Sequence, residues 1–592
     1  MELLSFDIET YNHHVRCLGL SWKTGKALVI PFIKMSLGVV ISKGKTLIDI
    51  NGRADRNYWC LEEEKAIIER LKVIFKDTTI GKIAQNYPFD STYLQDEFGI
   101  EIDGLYMDTM AAFHVLYPEL PKSLDFLTSI LTDHPHYSDH DTANDEDEWR
   151  YNGMDSLVTL EVAARIFEDL QERGLWHFYK HHVENGMVAL TRAQNRGMHI
   201  DVKRRKELEK EFETELEKLK RELDGLTNTD TNPLSPKQVK ELLYEKYKMR
   251  RVIKKTTGKE TTDEIAMLQL IKDYPSKADI LHLILNYRRI NKVLSTFLKA
   301  ELVAGKLVTT YNISGTVTGR LSSSQDINGR GVNIQQTPKR GVGYKVREMI
   351  QAPPGMVFIR ADLSQAEFRV VAWLAECLGI IEEYRKDPSF DVHAWNAGNI
   401  YNIAVEDVSK IQRHVAKAGV HGGNYGLGPA RAAAMFEVPF KEAKKALETY
   451  HRKLPNIKNW WKEIELELQG TRMLHTPMGR ERIFLDRIDQ STLRKAYAYI
   501  PQSTVADILN RAFYILDQLL LPLESYPLIN VHDEIIVCTP FDRFEETAKL
   551  VKKCLEIPLK IKGRELIIPA ELSFGKDWYN LESISERPTD GE

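Results

Sequence analysis

The amino-acid sequence predicts a multidomain α/β protein, and three observations carry that prediction. The chain has 592 residues, too many for one hydrophobic core. Strand-like segments such as LLSFDIET and LINVHDEIIVC alternate with long stretches of helical periodicity. Charge is also divided along the chain. Residues 1–173 carry 17 Lys+Arg against 30 Asp+Glu, and the remainder carries 64 against 55. The net charge of −4 therefore hides an acidic front module and a basic back module, and the basic one is where a polyanion would lie.

An apolar fraction of 43% and a charged fraction of 28% are those of an ordinary soluble globular protein. Cys17, Cys60, Cys377, Cys538 and Cys554 are scattered without a CxxC pair. That pattern predicts a reducing compartment, and neither a zinc site nor a disulfide framework. The opening MELLSFDIET has no basic region or long apolar core, and no apolar run reaches membrane-spanning length. The expected location is cytoplasmic, without membrane attachment.

In LLSFDIET, Asp7 and Glu9 project from one strand face. They belong either to a solvated edge or to a site where a divalent cation offsets their repulsion. Asn86 with Asp90, and Tyr151 with Asp155, are each spaced to share a helical face. Such pairs are also common on solvent faces. Taken in order, DxE, NxxxD and YxxxD resemble the three motifs of the DnaQ-like 3′–5′ exonucleases, which are built on an RNase H-like mixed sheet. The resemblance implies that Asp7, Glu9, Asp90 and Asp155 hold two metal ions, with Tyr151 positioning the attacking water. An active nuclease is expected. The acidic run DTANDEDE (141–148) is read as a solvated loop.

From residue 201, Leu208, Phe212, Leu216, Leu219, Leu223 and Leu226 recur with amphipathic helical spacing. The stripe is short for a free-standing coiled coil, so an antiparallel partner within the chain is expected at 277–303. Between the two lies a basic stretch with Lys246, Lys248, Arg250, Arg251, Lys254, Lys255 and Lys259. It is either a solvated face or a hairpin tip tracking a phosphate backbone. The following SGTVTGRLSSSQDINGRGVNIQQTP lacks GK[ST], which excludes a Walker loop. Its small residues around Arg320, with Asn333 and Gln335, suit a backbone lying against a duplex, where Arg and Gln donate to minor-groove acceptors.

Residues 359–375, IRADLSQAEFRVVAWLA, place Asp362 at the end of a strand and continue as a half-buried helix. On this stretch alone Asp362 is equally a helix N-cap or a hard-cation ligand. LINVHDEIIVC sets His532, Asp533 and Glu534 at a tight turn between buried strands, where two adjacent carboxylates call for a cation. Arg413, Lys417, His421 and Tyr425 recur every four residues and suit a triphosphate and a base. Gly419, Gly422 and Gly423 each cost about 1 kcal/mol inside a helix, so the second half of that stretch is equally a loop.

DLSQAEFR, RHVAKAGVHGGNYG and VHDE, in this order and spacing, resemble motifs A, B and C of the family A DNA polymerases, the bacterial polymerase I group. GTVTGRLSSS, NIQQTP, TPMGRER, PQSTVADIL and FGKDW match the same family. The resemblance implies a 3′–5′ exonuclease domain over residues 1–175 and a right-hand polymerase domain over 176–592. Its thumb would span about 185–305, its palm, with an antiparallel sheet, about 306–375 and 495–592, and its helical fingers about 376–494.

The resemblance also implies roles. Asp362 and Asp533 would bind two Mg²⁺, with Mn²⁺ as a substitute and Glu534 close by. Arg413, Lys417, His393, His421, Tyr425, Gln365 and Glu367 would contact the incoming dNTP. Lys417 would act as general acid, and Glu367 as the steric gate against a ribose 2′-hydroxyl. Arg320, Asn333, Gln335, Arg494, Gln502, His532, Lys254 and Lys255 would contact primer–template DNA.

His421 stands where the family usually has Phe or Tyr, so discrimination against dideoxynucleotides is open. Ala498 stands where Asn is frequent. With six residues before Asp7, no 5′-nuclease domain is expected. The implied activity is proofreading DNA synthesis by a monomer acting on DNA and dNTPs. The expected setting is replication of a phage or mobile element in the host cytoplasm, with cellular gap repair as the alternative role. Rival functions are a nuclease with a DNA-binding scaffold, a single-subunit RNA polymerase, which lacks the Glu at position 367, and an architectural DNA binder.

Overall fold

A mixed five-stranded sheet opens the chain. Its strands are β1 (Glu2–Tyr11), β2 (His14–Lys23), β3 (Lys26–Pro31), β4 (Ile80–Ala84) and β5 (Leu105–Asp108), in the order β3-β2-β1-β4-β5. β1 runs antiparallel to β2 and parallel to β4. The computed structural model describes residues 2–35, 38–42, 45–49, 54–55, 58–137, 139–141, 144–254, 257–326, 328–436 and 438–584.

Leu4, Phe6 and Ile8 of β1 are buried, so period-two alternation turns Asp7 and Glu9 to the other face. Helices α1 (Tyr87–Phe98), α2 (Thr109–Leu116) and α3 (Asp145–Glu172) pack around the sheet. Gly19, paired with Asp7, lets α3 come close: a Cβ there would sit 2.2 Å from Ser156 Oγ. The acidic run corrects an expectation. Asn144 caps α3 by accepting from the Glu146 and Asp147 amides, and 145–148 form its first turn instead of a solvated loop. Carboxylates are favoured at a helix N-terminus, and buried Glu148 meets Arg16 at 3.1 Å.

Helix α4 (Val202–Thr227) buries Leu208, Phe212, Leu216, Leu219 and Leu223. Leu226 is 54% exposed, and Thr227 takes the buried position at that turn. The partner is α5 (Ala278–Val293), continued through Leu294–Leu298. It runs antiparallel: Arg205 near the start of α4 donates to the Leu298 carbonyl at 2.7 Å, while Leu223 shares a cluster with Ile280, Leu281 and Ile284.

The basic stretch is largely paired. Lys246 donates to the Thr227 carbonyl at 2.5 Å, Arg250 lies 2.7 Å from Asp273, Arg251 lies 2.5 Å from Glu245, and Lys248 lies 4.0 Å from Glu245. These four side chains are thus braced against neighbours while Lys248, Arg250 and Arg251 stay more than half exposed. Lys254 has a backbone bond to the Lys259 carbonyl, and Lys255 lies outside the described residues.

A second five-stranded sheet, all antiparallel, is built of β6 (Met356–Leu363), β7 (Tyr526–Val531), β8 (Glu534–Pro540), β9 (Ala570–Gly575) and β10 (Glu582–Ser583), in the order β7-β8-β6-β9-β10. Phe358, Ile359 and Ala361 are fully buried against it. Helix α6 (Ala366–Leu374) follows β6 at once and is buried, not half-buried as its charged residues suggest. Arg369 is 1% exposed because its guanidinium donates to the Ser364 and Pro388 carbonyls and lies 3.9 Å over the Tyr384 ring.

The remaining helices that frame the sites are α7 (Val392–Tyr401), α8 (Lys410–Asn424), α9 (Phe440–Lys453) and α10 (Gln490–Leu519). Helix α8 runs unbroken through Gly419, Gly422 and Gly423, which removes the loop alternative. The glycines serve packing: a Cβ at 423 would sit 2.2 Å from the Tyr450 ring, and one at 419 would sit 3.1 Å from Ala446 backbone atoms, both on α9. Overpacking typically costs about 1–3 kcal/mol, against about 1 kcal/mol of helix propensity gained. Gly423→Ala is expected to destabilise the protein by roughly 1–2 kcal/mol, read as a lower denaturation midpoint.

Candidate active sites

The first acidic centre lies on β1 and α3. One carboxylate oxygen each from Asp7, Glu9 and Asp155 lie within 4.8 Å of one another. Asn152, one residue past Tyr151, donates to Asp7 at 2.8 Å. Asp90 on α1 is 2% exposed and accepts from the Ile8 amide at 3.0 Å, which binds α1 to the motif strand. Asn86 does not share a helical face with Asp90. It sits at the N-cap with φ 70°, outside α1.

Burial pushes Asp7 well above the usual carboxylate range, and Asp90, Asp155 and Glu9 push it further. Glu9 rises to about 8, from burial and then from Glu148. Burial also raises Asp90, and takes Asp155 to about 6 against the hydrogen bonds of Tyr137 and Tyr151. The nearby cation Arg16 is itself paired with Asp145 and Glu148. Clustered carboxylates with this little positive charge fit a cation site.

Sequence reasoning missed Tyr137, whose hydroxyl donates to Asp155 at 2.8 Å, and His140, whose ring stacks on Tyr151 at 3.8 Å. Both come from the segment between helices, where no periodicity marks them. Asn152 carried a signal, since it adjoins the motif tyrosine.

The second acidic centre joins two distant segments. Asp362 is the penultimate residue of β6, opposite Glu534 on β8 and Glu571 on β9. Asp533 lies in the β7–β8 turn beside His532, whose φ is 58°, and its carbonyl accepts from the Leu363 amide at 3.2 Å. Burial and then Asp533 raise Asp362 to about 7, with Arg360 opposing. Burial would raise Asp533 too, but Lys339 at 2.7 Å, a backbone amide hydrogen bond and His532 together outweigh it and hold the carboxyl below its usual value. Glu534 is 1% exposed and already neutralised, by Arg360 at 2.6 Å and Arg347 at 3.1 Å. The cation that its burial demands is therefore supplied by arginine. Lys339, Arg347 and Arg360 were not singled out from sequence.

A cavity of about 750 Å³ opens over Asp362 and Asp533, and Arg413, Lys417, His421 and His393 line it. Arg413 Nε lies 2.5 Å from Asp391, which caps α7. Burial lowers Lys417, and Arg340 and Arg413 lower it further. Burial, then His421, takes His393 down to about 3, and the two rings stack at 5.7 Å. Glu367 enters from α6 and accepts from both Arg320 and the Tyr425 hydroxyl. Tyr425 has left the helix at the C-cap, so the four-residue stripe ends at His421.

Several of the residues expected to contact substrate also make hydrogen bonds within the fold. Gln365 donates to the Phe390 carbonyl at 2.9 Å and accepts from the Val392 amide at 3.0 Å, so it braces the approach to α7. Asn333 accepts from Ser323 at 2.8 Å. Gln335 donates to the Asn530 carbonyl at 2.8 Å and accepts from the His532 amide at 3.2 Å, clamping the turn that carries Asp533. Gln365, Gln335 and His532 line the cavity, whereas Asn333, Tyr425, Arg494 and Gln502 do not. Arg494 and Gln502 lie eight residues apart on α10.

The comparisons with known proteins agree with this layout. Residues 202–580 match the family described as DNA polymerase family A, and residues 46–171 match the family described as 3′–5′ exonuclease. The chain is 30% identical to a thermostable DNA polymerase I of Thermus filiformis, over 72% of this chain and 50% of that protein. It is 26% identical to the DNA polymerase I of Pseudomonas aeruginosa, over 98% of this chain and 63% of that one. It thus spans between half and two thirds of the length of these relatives. Its fold is similar to the POL domain of Pol1 from M. smegmatis, in a complex with DNA primer-template and dNTP. That likeness has a TM-score of 0.79 at 20% identity and covers 97% of this chain and 95% of that one.

Proposed function

Because the chain belongs to DNA polymerase family A, we propose that it extends a DNA primer with dNTPs and removes mispaired 3′ ends at a separate centre. The observation that carries this reading is the pair of acidic centres on two different sheets, one beneath a cation-lined cavity. The assignment divides the chain into a nuclease domain over 1–175 and a polymerase domain over 176–592.

The donor sets fit hard divalent cations. Both are oxygen-only; burial and like charges lift Asp7 and Asp362, whereas Asp533 is held below its usual value beside Lys339. Asp7, Glu9, Asp90 and Asp155 would hold Mg²⁺ at one centre, and Asp362 and Asp533 at the other. When bound, Mg²⁺ pairs polarise phosphate oxygens, lower the pKa of the attacking hydroxyl or water and offset charge on the leaving oxygen.

The protein's own groups do the rest. Arg413, Lys417 and His393 receive the triphosphate. Lys417, its pKa already lowered, gives a proton to the departing pyrophosphate. Tyr151 orients the water at the nuclease centre, with His140 stacked behind its ring.

Glu367 is the sugar gate, and Arg320 with Tyr425 fixes its carboxylate. Glu367→Ala is expected to raise ribonucleotide incorporation relative to dNTP by roughly tenfold or more, the size of a removed steric contact. Single-nucleotide insertion with rCTP against dCTP opposite dG measures it.

The test of the whole reading is a primer with a mismatched 3′ terminus, with and without dNTPs, in Mg²⁺. The expected result is a ladder of shortened primers without dNTPs, and trimming followed by extension with them. Failure to extend a matched primer overturns the polymerase half. Failure to shorten the mismatched one overturns the nuclease half.

A further inference from the structure

Arg360 and Asp362 stand two residues apart on β6 and face the same way. Arg360 Nη2 donates to Asp362 Oδ2 at 2.5 Å, and its Nε donates to Glu534 Oε2 at 2.6 Å. The other Glu534 oxygen accepts from Arg347 Nη1 at 3.1 Å. Arg347 is 2% exposed, with its guanidinium 3.9 Å from the centre of the buried Trp578 ring. Glu534 is therefore gripped on both oxygens at the floor of the centre, and Arg360 is held by it from below. A guanidinium is a rigid planar fork, so fixing its Nε side also fixes where its Nη2 points.

The contrast with Asp533 matters. Its cation, Lys339, is 43% exposed and rides on a flexible stem with no second acceptor among the described contacts, so it can swing aside. Arg360 is anchored and stays.

We propose that Arg360 is a positioning residue of the polymerase centre. It sets the Asp362 carboxylate through the Arg347–Glu534 anchor, and it is a fixed positive charge against which a divalent cation competes for Asp362. Glu534 then acts through Arg360 and not by ligating metal. This rests on the reading of Asp362 and Asp533 as cation ligands.

The test uses Mn²⁺ binding to the full chain, read by the electron paramagnetic resonance signal of free Mn²⁺. Asp7→Ala and Asp155→Ala are included in every variant to empty the nuclease centre. Arg360→Met is expected to bind Mn²⁺ about tenfold more tightly than its parent. That is the fully water-screened repulsion between a divalent and a unit charge roughly 6 Å apart. Its kcat for primer extension falls tenfold or more, while KM for dNTP stays within about twofold. Arg360→Lys keeps the charge but not the fork, so Mn²⁺ affinity stays within about twofold of the parent while kcat still falls. Glu534→Gln is expected to retain Mn²⁺ binding and to be non-additive with Arg360→Met in kcat.

Unchanged or weakened Mn²⁺ binding in Arg360→Met overturns the proposal. So does loss of Mn²⁺ binding in Glu534→Gln to the extent seen in Asp362→Asn, since Glu534 would then be a ligand. If Arg360→Met does not melt cooperatively, the Arg360→Lys and Glu534→Gln results decide by the same criteria. If Asp362→Asn itself leaves Mn²⁺ binding intact, the underlying ligand assignment fails, which is a separate outcome.

Discussion

Asp362→Ala and Asp533→Ala are each expected to lower primer extension by about three orders of magnitude or more, with 3′-end degradation preserved. Each removes a carboxylate assigned to the cation, whereas Glu534 is already held by Arg347 and Arg360. Losing a ligand that positions several kcal/mol of electrostatic stabilisation gives a loss of this order, at about 1.4 kcal/mol per tenfold. The two variants are expected to differ in stability. Asp362→Ala leaves Arg360 with Glu534 as its remaining acceptor, and Asp533→Ala releases an exposed lysine. Neither strands a buried charge, so both fold. Gel-resolved primer extension on matched DNA measures the effect, and loss of degradation in either folded variant would contradict two independent centres.

Asp7→Ala is expected to do the reverse: mismatch removal falls by a similar factor while matched-primer extension persists. Asp7 is tied by Asn152 and lies among Glu9, Asp90 and Asp155, so its removal relieves repulsion. The folded protein should therefore gain stability as it loses nuclease activity, because burial and like charges penalise the ionised form. Thermal denaturation without divalent cations checks this, and a lower melting temperature in Asp7→Ala would contradict the electrostatic account. Contacts between the domains include Glu119–Arg482 at 2.6 Å and His114 bonded to the Thr316 carbonyl at 3.0 Å. Neither contact passes through Asp7, which is why polymerase activity is expected to survive.

What the sequence determined by itself was whatever local chemistry encodes. Alternation put Asp7 and Glu9 on one face, and the spacing of Leu208 to Leu223 defined the buried stripe of α4. Motif residues in their order along the chain carried the family resemblance that pointed to both acidic centres, because side-chain type and short spacing are local properties.

Tertiary structure decided the rest. Glycines that argue for a loop in isolation sit inside α8, since absent Cβ atoms let Tyr450 and Ala446 pack against it. An acidic run that looks solvated became a helix start with one buried glutamate, because Arg16 arrives from a distant strand. Gln365 and Gln335 look like free polar donors, yet they donate to the Phe390 and Asn530 carbonyls, and Asn333 accepts from Ser323. The same holds for charge. Nothing local to the VHDE segment says that two arginines neutralise Glu534 while Asp533 meets an exposed lysine. Burial and partner choice are long-range quantities, and they alone separate a carboxylate free to ligate from one already satisfied.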